Sequence, residues 1–219
     1  MARRTEISGI RREELTQAAL KCIAIKGYDG VTLDDVTKEA GLSKGIASYY
    51  FKNREELLVS VIHKMWGNMM GFTKKVWELP EETDDPERVY AVVRKYYSDP
   101  GVDLVAVIRE GIRFLVTIFD EEPYTFRVIL EFWNQVSRNP MITELNRSMH
   151  TFLIRISSII IQEGIRRGIF KKRNPELASY MLVSTIVGVA FNHVINKGDL
   201  DSKKMEKELC DLILGYVCA

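Results

Sequence analysis

The chain has little of what catalysis or metal binding usually needs. Only three cysteines and three histidines stand among its 219 residues. Cys22, Cys210 and Cys218 are odd in number and have no Cys-x-x-Cys spacing. On one helix Cys210 and Cys218 would lie roughly 12 Å apart, too far to bridge. His63, His150 and His193 are scattered and make no ligand pair. These scarcities predict reduced structural thiols, a cytoplasmic setting, no metal and no cofactor. Strong charge of one sign is missing too: the formal net charge is +1. Residues 1–55 hold ten Lys and Arg against eight Asp and Glu, a slight excess that decides nothing. An architectural DNA binder would carry more, because sequence-independent affinity comes from phosphate neutralisation. No nucleophile–base pair or phosphate loop points to an enzyme. The opening "MARRTEISGIRREEL" has charges with no apolar stretch behind them, so it does not read as a signal peptide.

One stretch lacks charge altogether. From Leu177 to Asn196, "LASYMLVSTIVGVAFNHVIN" has no Asp, Glu, Lys or Arg and is long enough to span a bilayer. Against spanning stand Ser179, Tyr180, Ser184, Thr185, Asn192 and His193, which lipid would satisfy poorly. The expectation is therefore no membrane, and a helix buried within the protein or between subunits. Ser184 and Gly188, one turn apart, would admit a second helix closely.

What is present is helical periodicity. Leu15, Ala18, Ala19, Cys22 and Ile23 make one apolar face, in a helix that ends at Gly27. Thr32 with Asp35 starts a short helix ending near Gly41, and Asn53 with Glu56 starts a long one running to about Leu79. "ETDDPERV" begins another, with Pro86 in its first turn. Breakers near Pro100–Gly101, Pro123, Pro140, Gly168, Pro175 and Gly198 cut the rest into about six. Strand-period alternation of useful length is missing. The fold class expected is all-α with about nine or ten helices.

Between two of these helices lies "GLSKGIASYYF", Gly41 to Phe51, with two glycines, adjacent tyrosines and almost no apolar stripe. A helix near Leu33–Ala40, a turn at Gly41–Ser43 and a second helix near Lys44–Phe51 make a helix-turn-helix. Leu33, Val36, Ala40, Leu42, Ala47 and Phe51 form its inner face. Ser43, Lys44, Gly45, Ser48 and Tyr49 then face out. A helix that enters a DNA major groove needs such a face, with donors, small residues and polar tips that reach phosphates. Gly45 costs about 1 kcal/mol of helix propensity against alanine, which close approach to another surface would justify.

These residues resemble the tetracycline-repressor (TetR) family of bacterial transcription regulators. The likeness runs from about Arg12 to Leu58, through "ALKCIAIKGYDGVTLDDVTKEAGLSKGIASYYFKNREELL". More loosely, "FWNQVSRNPMITELNRSM", "EGIRRGIF" and "NPELASYMLVSTIVGVAF" look like the regulatory part of its betaine-regulator branch. The resemblance implies a three-helix DNA-binding domain over 1–53 and a helical effector-binding and dimerisation domain over 54–219. It implies a DNA-binding regulator, most simply a repressor released from a near-palindromic operator by a small apolar or amphipathic effector. An activator, or a regulator without an effector, is the alternative.

Residue roles follow from the same resemblance. Thr32 would cap its helix and touch a phosphate. Ser43, Lys44, Gly45, Ile46, Ser48, Tyr49 and Tyr50 would face the groove, with Lys44 on guanine and Ile46 on a thymine methyl. Ser48 stands where many members carry tyrosine, which moves the expected phosphate contact to Tyr49 and Tyr50. Lys52 and Arg54 would grip the backbone. The plain alternatives are solvated charges at 52 and 54 and a packing role for Tyr50. Dimerisation through the last two helices would use Met181, Ser184, Gly188, Phe191, Leu209 and Ile213. Trp66, Met70, Tyr96, Phe114, Phe132, Trp133, His150 and Met181 are the expected pocket residues, with Glu131, Asn134 and Asn192 as further polar candidates. Gly67 and Gly71 would let the long helix bend.

Overall fold

The computed structural model describes residues 2–76, 85–121, 123–196 and 201–218. They form ten α-helices: α1 (Ala2–Lys26), α2 (Leu33–Glu39), α3 (Lys44–Tyr50), α4 (Arg54–Val76), α5 (Pro86–Ser98), α6 (Leu104–Glu121), α7 (Pro123–Asn134), α8 (Pro140–Arg166), α9 (Pro175–Ile195) and α10 (Ser202–Val217). Among the described residues the extended pairing is one isolated bridge, Phe170 to Cys218. The chain is all-α, as its periodicity predicts. The expected helix end near Leu79 and the breaker at Gly198 lie outside the described residues.

Local chemistry sets the helix ends. Proline opens α5, α7, α8 and α9, where its preset φ fits and its missing N–H goes unused. Gly27, at φ 76°, closes α1 in the left-handed conformation, its N–H donating to Ile23 O at 2.9 Å. At the head of α4, Asn53 Oδ1 accepts from Glu56 N–H and Glu56 Oε2 accepts from Lys52 N–H, both at 2.8 Å.

The chain packs as two compact units. The first comprises Met1–Met70 with Tyr124–Asn146. Leu15, Ala19, Ile23, Val36, Ala47, Phe51, Leu57, Leu58 and Val61 make its core. Thr16 and Ser60 share a buried hydrogen bond of 3.0 Å where α1 meets α4, and the Arg12 guanidinium lies 5.0 Å from the Phe51 ring centre.

The second unit comprises Gly71–Pro123 with Arg147–Ala219, and in it α6 packs on α9 and α10. α9, which carries no charged residue after Glu176, has two faces. Ser179, Val183, Ile186, Ala190 and His193 are buried, while Leu177, Tyr180, Met181, Ser184 and Phe191 are exposed. Apolar residues on both sides explain why the sequence shows no clear stripe there. No helix among the described residues is long and apolar enough to cross a membrane.

Candidate nucleic-acid interface

The site is built on α2, the turn after it and α3. Thr32 and Asp35 close a capping box: Thr32 Oγ1 accepts from Asp35 N–H at 3.2 Å, and Asp35 Oδ2 accepts from Thr32 N–H at 3.0 Å. Lys26 donates to Asp35 Oδ1 at 2.5 Å. That bond first, and those from Thr32 second, hold the Asp35 carboxyl down at about 2. α2 is thus fixed to the end of α1 by groups that leave its outer side free.

The turn needs glycine once. Gly41 has φ 65°, a conformation that side chains with a Cβ rarely adopt, and Leu42 N–H returns to Thr37 O at 2.9 Å. Ser43 then takes the N-cap position of α3 with extended backbone, and its hydroxyl makes no capping bond. Ala47 and Phe51 turn inward and are buried to within 1%.

The other face of α3 is open. Ser43, Lys44, Gly45, Ser48 and Tyr49 are exposed, Tyr49 by 76%, whereas Ile46 and Tyr50 are half-buried. The Tyr49 and Tyr50 rings meet edge to face at 5.0 Å, which holds both at the C-terminal end of the helix. A Cβ on Gly45 would meet only Ser43 Oγ, at 3.9 Å, so the protein's own packing does not require glycine there. Lys44 Nζ lies 2.6 Å from Asp34 Oδ2 across the turn.

Two expected backbone-gripping residues are placed differently from each other. Lys52 is exposed. Arg54 is turned back on its own protein: its Nε donates to Val31 O at 2.5 Å, Nη2 donates to Tyr28 O, and the guanidinium lies 5.1 Å from the Tyr28 ring centre. A planar fork of donors fits two carbonyls and a ring face together, which a solvated charge would not use.

The expected pocket residues divide between the two units. Trp66, Met70, Phe132 and Trp133 belong to the first. There Phe132 is 1% exposed and packs edge-on against Tyr28 at 5.6 Å, while Trp133 is 40% exposed. Tyr96, Phe114, His150 and Met181 belong to the second. His150 is exposed there and stacks on Tyr180 at 5.7 Å, beside the exposed Met181. Tyr96, also exposed, contacts Tyr97 at 5.3 Å. Glu131 has a structural use, accepting from Tyr28 N–H at 2.8 Å. An open groove of ≈ 670 Å³ on α1, lined by Ile10, Gln17, Lys21 and Glu39 among others, contains none of these residues.

On the last helices, Met181, Ser184 and Phe191 are exposed and Gly188 is half-buried. Leu209 and Ile213 are instead 3% and 4% exposed, inside their own unit where α10 packs on α6. The neighbouring face of α10 carries Leu212, 60% exposed, and Tyr216, whose hydroxyl donates to Met181 Sδ at 3.1 Å. Sequence reasoning missed Leu177, Tyr180 and Leu212. The first two were legible, because 177, 180, 184, 188 and 191 keep the three-and-four spacing of one helix face.

A helix-turn-helix with a capped first helix and an exposed polar second helix, followed by a helical body, defines a DNA-binding regulator. Comparison with known proteins agrees. Residues 15–61 match the family described as bacterial regulatory proteins, tetR family. Residues 106–216, about half of the chain, match the BetI-type transcriptional repressor, C-terminal family. The chain belongs to the TetR family of transcriptional regulators and has a BetI-type C-terminal region. It is 26% identical over 208 residues, 94% of each chain, to the HTH-type transcriptional regulator BetI of Burkholderia cenocepacia. Its fold resembles the fatty acid degradation regulator FadR of Bacillus halodurans, with TM-score 0.71, 18% identity and coverage of 93% of this chain and 94% of that one. It also resembles a putative transcriptional regulator of Saccharomonospora viridis in complex with choline, with TM-score 0.69, 17% identity and coverage of 95% and 97%.

Proposed function

We propose that the protein is a ligand-responsive repressor, acting in the cytoplasm, that binds a near-palindromic operator as a homodimer. The observation that carries this reading is the exposed polar face of α3, Ser43, Lys44, Gly45, Ser48 and Tyr49, mounted on a buried inner face. Residues 1–53 serve as the DNA-binding domain, and 54–219 bind the effector and the second subunit. Thr32, Ile46, Tyr50 and Lys52 flank the contact surface. Arg54 shapes it by holding the α1–α2 loop. No enzymatic step is needed.

One short recognition helix makes few contacts, so two copies about 34 Å apart, in successive major grooves, supply the affinity. The exposed apolar face of α9 (Leu177, Tyr180, Met181 and Phe191), with Leu212 of α10, is the surface that pairs the subunits. The effector is a small apolar or amphipathic molecule. The BetI-type C-terminal match and the choline-bound neighbour make a quaternary amine the first to try, and the FadR neighbour makes an acyl chain the second. Effector binding bends α4 at Gly67 and Gly71 and changes the spacing of the two recognition helices.

The test is a mobility shift on DNA upstream of the protein's own gene, at two salt concentrations. A complex that weakens steeply with salt, is lost in a Lys44→Ala, Tyr49→Ala variant and is released by choline or a fatty acyl compound supports the repressor reading. A complex unaffected by any effector favours a regulator without one. A chain that binds neither this DNA nor a random pool overturns the reading.

A further inference from the structure

Two arginines of the head are stacked on aromatic rings, and they use their donors differently. Arg54 lies against Tyr28 and gives its N–H groups to Val31 O and Tyr28 O. Arg12 lies over the Phe51 ring, 5.0 Å from its centre, and no described residue accepts a hydrogen bond from its guanidinium. The acids next to it in sequence are engaged elsewhere: Glu13 pairs with Lys64 and Glu14 with Arg11. Arg12 is exposed, yet both its backbone and its tip are anchored. Thr16, one turn on, shares a buried hydrogen bond with Ser60 of α4, and the Phe51 ring under the guanidinium is 1% exposed. A cation held in place with its donors free is placed for an acceptor outside the chain.

Its location indicates which acceptor. Phe51 directly follows the last residue of α3, between Tyr50 and Lys52. Arg12 therefore stands at the C-terminal end of the helix whose outer face carries Lys44, Ser48 and Tyr49. Lys52, exposed and without an ion pair among the described residues, is at the same end. In the three-helix form of helix-turn-helix docking, the C-terminal end of the reading helix meets the phosphate backbone. The dipole of a seven-residue helix gives a cation there only a small benefit, which salt screens. A guanidinium whose face is on a ring still has the N–H donors at its edge for a bidentate phosphate contact. Resting on the regulator reading above, we propose that Arg12, a residue of α1 outside the helix-turn-helix, is a DNA-binding residue that grips a phosphate at the C-terminal end of α3. The contact is to the backbone, so it adds affinity without reading a base. It also supplies the grip that Arg54, turned on its own carbonyls, does not give.

Each phosphate neutralised contributes about 0.9 to the slope of log K against log salt. A dimer with two heads is expected to lose about two units of slope without Arg12, on the order of fiftyfold in affinity near 0.1 M salt. The experiment selects a preferred duplex from a random pool with the wild-type chain. Affinity for it and for a scrambled duplex of equal composition is then measured between about 0.05 and 0.2 M salt. Wild type, Arg12→Met and Arg12→Lys are compared, with a thermal melt of each. Methionine keeps an apolar stem over Phe51 and removes the charge; lysine keeps the charge. Arg12→Met is expected to melt near wild type, to weaken on both duplexes by the same factor and to lose slope. Arg12→Lys is expected to keep most of the slope. An unchanged slope in Arg12→Met overturns the inference and leaves the regulator reading intact. So does a loss confined to the preferred duplex, which would make Arg12 a base reader. A lower melting temperature with the wild-type slope overturns it too, and assigns Arg12 to covering Phe51 alone. A wild-type chain that selects no duplex and shows no salt-dependent binding overturns both readings.

Discussion

The backbone N–H of Tyr28 donates to Glu131 Oε2 at 2.8 Å, joining residues 103 positions apart. The same oxygen lies 3.1 Å from where a Cβ on Gly27 would stand, so the left-handed glycine ending α1 also makes room for the carboxylate. Around this bond Phe132 packs on Tyr28, Gln135 Nε2 donates to Asp29 Oδ2 at 3.5 Å, and Asn139 Nδ2 donates to Glu55 Oε1 at 2.7 Å. α7 and the turn after it are therefore packed into the same compact unit as the helix-turn-helix. Glu131→Ala leaves a half-buried N–H without its acceptor, an expected loss of about 1–3 kcal/mol. Glu131→Gln keeps an acceptor oxygen and is expected to lose less. Urea unfolding of the three chains checks the order.

Arg54 and Lys44 are both basic and close in sequence, yet the structure gives them opposite uses. Arg54 bonds two carbonyls of the α1–α2 loop and covers the Tyr28 ring; Lys44 is exposed. Arg54→Lys cannot make both bonds and the stacking at once, so a stability loss of about 1.5–3 kcal/mol is expected. Lys44→Ala is expected to change stability by no more than about 0.5 kcal/mol, as surface substitutions do, while weakening DNA binding. Melting temperatures beside mobility shifts separate the two. Equal effects on stability would show that Arg54 is a surface cation after all.

The helices and their ends were legible because the signals are local. A capping box, a C-terminal glycine and a proline in the first turn each act within a few residues, and Thr32, Gly27, Pro86, Pro123, Pro140 and Pro175 all mark boundaries found in the structure. The open face of α3 was legible for the same reason, since helical spacing alone divides Ala47 and Phe51 from Ser48 and Tyr49. Partners distant in the chain were not. Nothing near Glu131 announces that it accepts a bond from Tyr28, and nothing near Arg54 announces two carbonyls. α10 shows a third limit. Leu209 and Ile213 make the obvious apolar stripe, but one stripe cannot say whether it faces the protein's own core or a second chain.

That ambiguity gives the next prediction. Leu212 and Leu177 are 60% and 56% exposed, while Leu209 is 3% exposed. Leu177→Glu with Leu212→Glu places charge on the proposed pairing surface and is expected to yield a folded monomer in sedimentation. Leu209→Ala empties a packed site and is expected to cost about 2–5 kcal/mol of stability. Dimers that survive the double glutamate variant would move the interface elsewhere.

Among the described glycines of the second unit, Gly164 carries the sharpest steric constraint. A Cβ there would fall 1.9 Å from Phe170 Cδ2, and Phe170 is 3% exposed. The ring lies directly against the backbone of α8, so no rotamer change of a loose tip relieves the clash. Gly164→Ala is expected to destabilise by about 1–3 kcal/mol as overpacking does, despite the better helix propensity of alanine. A raised melting temperature would show that Phe170 can move away cheaply.

Immediately before Gly164 stands Glu163, a buried carboxylate held by two guanidinium groups. Arg166 Nη2 donates to Oε1 at 2.6 Å and Arg167 Nε donates to Oε1 at 2.7 Å. The Arg166 hydrogen bond, against the opposing effect of burial and with help from Arg167, brings the carboxyl from 4.5 to about 2. Arg167 in turn donates to Val102 O at 2.9 Å and Asp99 O at 2.6 Å, so the carboxylate orients the arginine that closes the α5–α6 loop. Because the folded value is below the unfolded one, the unfolded chain takes up the proton first. The stabilisation is therefore complete above about 4.5 and is lost as pH falls towards about 2. Asp35, also held at about 2, titrates in the same window and contributes a separate loss. Glu163→Gln is expected to be less stable than wild type at neutral pH and to show a shallower decline in acid. The check is the urea midpoint of both chains at several pH values through that window. Parallel declines would mean that Glu163 is no more acidic in the folded protein than in the unfolded one.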